Sequence, residues 1–332
     1  MTAQLRSARR SLAVALFAVA FGTNVATPLL LIYEPRLGLS SWTVTAVFAT
    51  YPLGLAPALA YAGPASDVLG RRRVVVPGLA LSGVASLVMM AGRSDVVFLF
   101  VGRFLLGAVS GLVFVVASAW MQELGVRDGT DPIWTARLLG LVMYAGFGLG
   151  PLVGGALGQW SAAPLVAPYL VHIATVVAGL VMIRGVPETV VPEARPIRPN
   201  LGIPAGAGRP FWRVVVPTAL GVFGLPSLAF GLFPVILRPE MGDVAVFATG
   251  LIFVLAMALI VPAQAWVGRV GADRSAPAGL AQGTLGAGFG LAAVATGWWG
   301  LLFARSIVMG ASAGLCVSAG LVCVVRLAEQ RE

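Results

Sequence analysis

Gly63-Pro64-Ala65-Ser66-Asp67-Val68-Leu69-Gly70-Arg71-Arg72-Arg73 decides how this chain is read. Before it, Leu37–Ser66 carries no charge; after it, Val74–Gly92 carries none either. Each run is long enough to cross a bilayer, which takes about 20 apolar residues. The stretch therefore reads as a tight basic hairpin between two membrane helices. Asp67 sits just inside the turn, Gly70 makes it, and three arginines follow. A bias of positive charge toward the inner face explains the arginines. It does not explain an acid and glycines at fixed offsets.

The whole composition agrees with a membrane protein. Of 332 residues, 58% are hydrophobic and 11% charged, whereas a soluble domain carries roughly a quarter charged residues. The net charge of +9 could suggest nucleic acid, but the arginines lie between apolar runs rather than on one face. The partner implied is the lipid bilayer rather than nucleic acid. No phosphate-binding loop, metal-ligand spacing or catalytic triad occurs, so no cofactor, metal or enzymatic activity is expected. Cys316 and Cys323 share a helix face and suit neither a disulfide nor a metal. The uncharged run Ser11–Tyr33 exceeds a signal peptide's apolar core of about 7–15 residues and reads as a retained first span.

Spans are expected near 12–33, 43–63, 74–92, 96–120, 134–157, 165–183, 213–237, 244–268, 277–296 and 298–325. The Pro-, Gly- and Arg-rich segment after the sixth reads as a linker. The expected architecture is all-α, with about ten membrane helices in two pseudo-symmetric bundles: 1–184 with six helices, a cytoplasmic linker 185–212, and 213–332 with four. With the N-terminus inside, 17 arginines fall in cytoplasmic segments and 3 in outer turns, which sets the orientation. An internal repeat supports two related halves. Gly70 shifts by 201 residues onto Gly271, and Arg73 onto Arg274. Phe100, Gly107 and Gly111 shift by 203 onto Phe303, Gly310 and Gly314, while Arg103 and Arg305 are one place out of register.

Three further patterns stand out. Gly146, Gly150-Pro151 and Gly154-Gly155 place small residues four apart in the fifth span, where helix backbones can approach closely. Arg103, followed by Gly107 and Gly111, is about two turns inside the fourth span, where a charge marks a functional position unless it reaches back to the headgroups. Asn24, four residues before Pro28, is the polar residue of the first span; hydrogen bonding to a solute and packing against another helix suit it equally. No acid lies deep in any span. Glu123 at the inner end of the fourth span is a candidate partner for Arg71, and a solvated surface acid equally. His172, alone in the sixth span, reads as a hydrogen-bonded packing residue.

The pattern Gly63, Asp67, Gly70, Arg71, Arg72, Arg73 resembles the loop between helices 2 and 3 of major facilitator superfamily transporters. The Gly146–Gly155 pattern resembles that of members working as antiporters, mostly exporters. Arg103-Gly107-Gly111 is similar to a fourth-helix motif implicated in proton coupling. The Val186–Thr189 segment resembles a frequent ending of the sixth helix. The resemblance implies secondary transport by alternating access, with efflux of a drug-like solute or metabolite at a plasma membrane and protons as the candidate coupling ion. It implies a conformational latch at Gly63–Arg73, a cavity lined by Arg103, Asn24 and Arg305, and two more helices after Arg326–Glu332. Two departures matter: Val68 stands where a basic residue is common, and the first span carries an amide where drug exporters often carry an acid. A ten-helix drug/metabolite-type carrier fits the span number but would repeat after five spans in inverted sense. An embedded enzyme or a non-transporting receptor would belong to another class, and an enzyme would need paired catalytic groups within the spans.

The arginine asymmetry gives a direct test. Single cysteines at Arg72 or Arg198, in a chain lacking Cys316 and Cys323, should stay unlabelled by an impermeant thiol reagent in whole cells and label after permeabilisation. Labelling from outside would reverse the orientation.

Overall fold

The computed structural model describes residues 2–192, 195–200, 212–213 and 232–329 of the chain. Every regular element among the described residues is helical. Backbone groups in lipid must be satisfied within their own segment, and the helix is the open-chain solution. Nine helical stretches among the described residues are long and apolar enough to span a membrane. Most of the seventh expected span, 213–237, lies outside the described residues, as do Glu193 and the side chain of Cys323. The chain divides into two compact units, Met1–Gly202 and Ile203–Glu332.

In the first unit, the first span is interrupted where one helix was expected. Helix α1 is Thr2–Val25 and α2 is Leu30–Leu37. Pro28 has no N–H to give, and the chain crosses it on short-range bonds such as Thr27 N to Asn24 O at 3.0 Å and Leu30 N to Ala26 O at 3.2 Å. Then come α3 (Ser41–Leu69), α4 (Arg71–Ala91), α5 (Val96–Arg127), α6 (Pro132–Trp160) and α7 (Ala167–Met182), the last tightening into a 3-10 turn at Ile183–Gly185. Starts are marked by side-chain caps. Ser40 accepts from Thr43 N, Asp95 from Val97 N, and Asp131 from Ile133 N, with Pro132 in the first helical position. Leu12, Leu16, Leu79, Val113, Trp120 and Met121 are among the residues packed into the core of this unit.

The second unit contains two short helices, α8 (Phe233–Ile236) and α9 (Arg238–Met241), before three long ones: α10 (Ala245–Val270), α11 (Ala272–Thr296) and α12 (Leu301–Glu329). Helix α12 packs against both α10 and α11.

Glycine decides which helices touch. A Cβ on Gly146, Gly150 or Gly154 would run into the backbone of Phe17, Phe21 and Val25 on α1. On α5, Gly107 and Gly111 meet the backbone of Tyr51 and Leu55, and Gly54 of α3 returns the contact at Phe104 O. In the second unit Gly310 and Gly314 meet Ala256 O and Ile260 O on α10. The repeat read from the sequence is therefore a repeat of packing: the glycine pair of α5 against α3 recurs as that of α12 against α10. Lipid offers no hydrophobic drive for helix association, so such backbone proximity supplies the attraction.

Replacing Gly150 with valine should destabilise the first unit, because the obstruction is a carbonyl that cannot rotate away; overpacking costs about 1–3 kcal/mol. Gly63 faces open space on its Cβ side and is helical, so Gly63→Ala should leave the melting temperature in detergent unchanged or raised. Equal melting of both variants would show that the glycine seam is not what holds α6 to α1.

Candidate functional site

The expected hairpin loop is not a loop. Helix α3 continues to Leu69 and α4 begins at Arg71, so Gly70 alone joins them, at φ 96 and ψ 150, a backbone region essentially confined to glycine. Asp67 is therefore in the last turn of α3, and Arg71, Arg72 and Arg73 form the first turn of α4. Both placements oppose the helix dipole, which favours cations at a C-terminus and anions at an N-terminus by about 0.3–1 kcal/mol each.

The opposition is met by ion pairing. The Arg71 guanidinium donates to Asp67 Oδ1 at 2.8 Å and to Glu123 Oε1 at 2.7 Å, and also to the Ser66 hydroxyl. Arg71 is largely buried, Asp67 and Glu123 only in part. One arginine thus ties the ends of α3, α4 and α5 together, and of the two readings open for Glu123 the structure gives the pair with Arg71. Arg195 of the linker adds a longer contact to Asp67, at 3.5 Å. Arg72 and Arg73 do not share this pairing through their side chains in any described ion pair.

The Val186–Thr189 segment closes the cluster. Glu188 accepts from Arg71 N at 3.1 Å and Arg72 N at 3.0 Å, so its carboxylate caps α4 from a distant part of the chain. Thr189 N and Val190 N donate to it as well. Burial raises its pKa, but the backbone N–H groups of Arg72, Thr189, Val190 and Arg71 outweigh that and hold the carboxyl below its ordinary range. The Thr189 hydroxyl donates to Glu123, Trp120 Nε1 to Pro187 O at 2.9 Å, and Arg127 to the carbonyls of Glu188 and Thr189. A Cβ on Gly70 would sit 2.9 Å from Glu188 Oε2, a second reason for glycine there.

A second polar site lies within the first unit. Arg103 of α5 is 2% exposed. Its Nη1 donates to Thr23 O at 3.0 Å, and the guanidinium carbon lies 4.8 Å from the Phe48 ring centroid and 5.3 Å from that of Tyr51. Such contacts contribute about 2 kcal/mol when desolvated, against a burial penalty of several kcal/mol for an unpaired ion. The Thr23 and Ser110 hydroxyls are 3.1 Å apart. Thr23, not its neighbour Asn24, receives Arg103; Asn24 is half-buried at the last turn of α1. Arg103 and Ser110 are seven apart on one helix face, the sequence signal that could have found the hydroxyl. His172 is buried between Ser82 and Ser86, with Nδ1 2.6 Å from Ser86 Oγ, and its ring occupies the space left by Gly22. In the second unit Arg305 is buried over Phe233, 4.1 Å from the ring centroid.

Across residues 12–332 the sequence matches the profile of the Major Facilitator Superfamily. The chain belongs to this superfamily. A curated relative, the multidrug resistance protein MdtL of Escherichia coli O139:H28, is 37% identical over 95 residues, 29% of this chain and 23% of that protein. The chain thus matches less than a quarter of that relative's length. Among solved structures, the nucleoside transporter NupG is similar over 96% of this chain and 82% of its own, with TM-score 0.67 and 13% identity. The xylose transporter XylE from E. coli is similar over 98% and 87%, with TM-score 0.64 and 14% identity. At these identities the likeness is one of fold.

Within the superfamily fold, the glycines expected beside Arg103 and in α6 stand in helix seams; Gly155 and Pro151 are buried on α6. Glu188→Gln should weaken the cap of α4 by about 1 kcal/mol, as loss of a charged cap does. Because the folded carboxyl titrates below its ordinary value, its contribution is full above about pH 4.3 and disappears as pH falls through the lower folded value. The melting-temperature difference between wild type and Glu188→Gln should therefore be present at pH 7 and shrink under acid conditions. A difference independent of pH would remove the cap from the explanation.

Proposed function

We propose that this protein is a secondary transporter that moves a small organic solute by alternating access, with Asp67, Arg71 and Glu123 as a latch at its cytoplasmic ends. The observation that carries the reading is charge placement against the helix dipoles. An acid at the end of α3 and arginines at the start of α4 are poor choices for a static corner. They suit a contact that forms in one conformation and opens in another. Superfamily membership supports transport, and two bundles rocking about a central site is the mechanism of such folds. Export is favoured by the Gly146–Gly155 pattern and by the partial similarity to a multidrug resistance protein. The N-terminus is assigned to the cytoplasm on the arginine distribution. Arg103 is the candidate for coupling to protons, with Asn24 and Arg305 as further cavity residues.

The test is Asp67→Asn, which keeps shape and removes charge. In proteoliposomes the variant should insert and melt like wild type yet move solute at least tenfold more slowly. Transport at the wild-type rate would reduce Asp67 to a residue of topology.

A further inference from the structure

We propose that Arg103 anchors an anion subsite and that the transported solute is an organic anion whose carboxylate, or comparable acidic group, completes the charge of the guanidinium. The proposal rests on the transport reading and adds the class of solute. Arginine stays charged at any physiological pH and carries five N–H donors in a planar fork. In this structure one nitrogen has a described bond, to the carbonyl of Thr23. Nε, on the edge that a carboxylate takes side-on, is buried and has no acceptor. Among the described residues no carboxylate pairs with Arg103.

The sequence deepens the point. Asp and Glu occur at 13 positions, and none falls deep in a span. Among the described acids of the first unit, Asp67 and Glu123 pair with Arg71, Asp128 pairs with Arg9, Glu34 accepts from the Ser41 hydroxyl, Asp95 and Asp131 are caps, and Glu188 caps the start of α4. A buried cation without a protein counter-ion is an electrostatic invitation to an anion. The surroundings set its character. Phe48 and Tyr51 present ring faces beside the guanidinium, and the paired hydroxyls of Thr23 and Ser110 form a neutral polar edge. That combination fits a small anion with an apolar or aromatic body.

Binding to the purified full-length chain in detergent, at constant ionic strength, separates this from transport itself. The probes are benzoate, its neutral isostere benzamide, and benzylamine. Benzoate should bind at least tenfold more tightly than benzamide, and benzylamine least. In Arg103→Gln the benzoate affinity should fall to that of benzamide. Arg103→Lys keeps the charge without the planar fork and should lose at least threefold of the preference, so it decides the matter if Arg103→Gln does not fold. Equal binding of benzoate and benzamide to wild type, or a preference unchanged in either variant, overturns the proposal. Selective binding without solute counterflow in vesicles would instead sink the transport reading and leave the anion site standing.

Discussion

The constraint on which everything else rests is that the solvent of this fold is lipid. In water, apolar faces drive helices together; in hydrocarbon they are indifferent to the exchange of lipid for protein. What remains is close packing and the few polar contacts that lipid cannot offer. The chain meets the first need with glycine. On α6 three glycines four residues apart meet three successive turns of α1, and on α5 two meet α3. Each contact depends on a missing Cβ, so the seams specify partners as well as stabilise them. A helix with bulky residues at those positions could still insert, but it would not find this neighbour.

The second need explains where the charges are. Most of the described acids cap helices, pair at helix ends or lie in connections, and Glu34 stands near the end of its helical stretch. Asp95 and Asp131 open α5 and α6, and Asp128 holds Arg9 in a buried pair at the turn between those two helices. Against that background the interior arginines are exceptions to the rule the rest of the sequence obeys. Both are nearly inaccessible, and both lie over an aromatic ring. The sequence repeat places Ser306, not Arg305, at the position matching Arg103. The two units therefore share a helical frame but do not present their cations from the same register, as expected when packing is held in common and polar chemistry is not.

Much of the fold was legible because its signals are local. Charge-free runs mark the spans, and glycines at a spacing of four mark the seams. Boundaries were shorter than the helices, since Asp67 and Arg71 read as loop residues when judged by charge alone. Only the backbone shows that the helices run up to a single glycine. The Glu123 pair with Arg71 was open because nothing in a sequence says which helix ends meet. The role of Glu188 is hidden for the same reason: its target, the first turn of α4, is more than a hundred residues away. The hydroxyls near Arg103 were hidden differently. Thr23 and Ser110 sit among apolar residues, where a lone hydroxyl commonly bonds its own helix, as both do here at Val19 O and Leu106 O.

The second unit supplies an internal control for the corner between α3 and α4. Gly271 joins α10 to α11 at φ 87 and ψ 149, close to the 96 and 150 of Gly70. The amide of each glycine bonds back four residues, Gly70 to Ser66 and Gly271 to Val267. Yet at the second corner the place of Asp67 is taken by Gly268 and that of Arg71 by Ala272. The same turn is therefore made without an acid or an arginine at those two positions; the second corner carries Arg269 and Asp273 instead, each at the helix end its dipole favours. Glycine and the backbone bond are common to both corners, so Asp67 and Arg71 are not what the two corners share. They are also set against the dipoles of the helices that carry them, and they recruit Glu123 from α5 and, through the backbone, Glu188 from beyond α7. The Arg71 cluster thus draws groups from four parts of the chain to a corner whose counterpart in the second unit carries neither an acid nor an arginine at the matching positions.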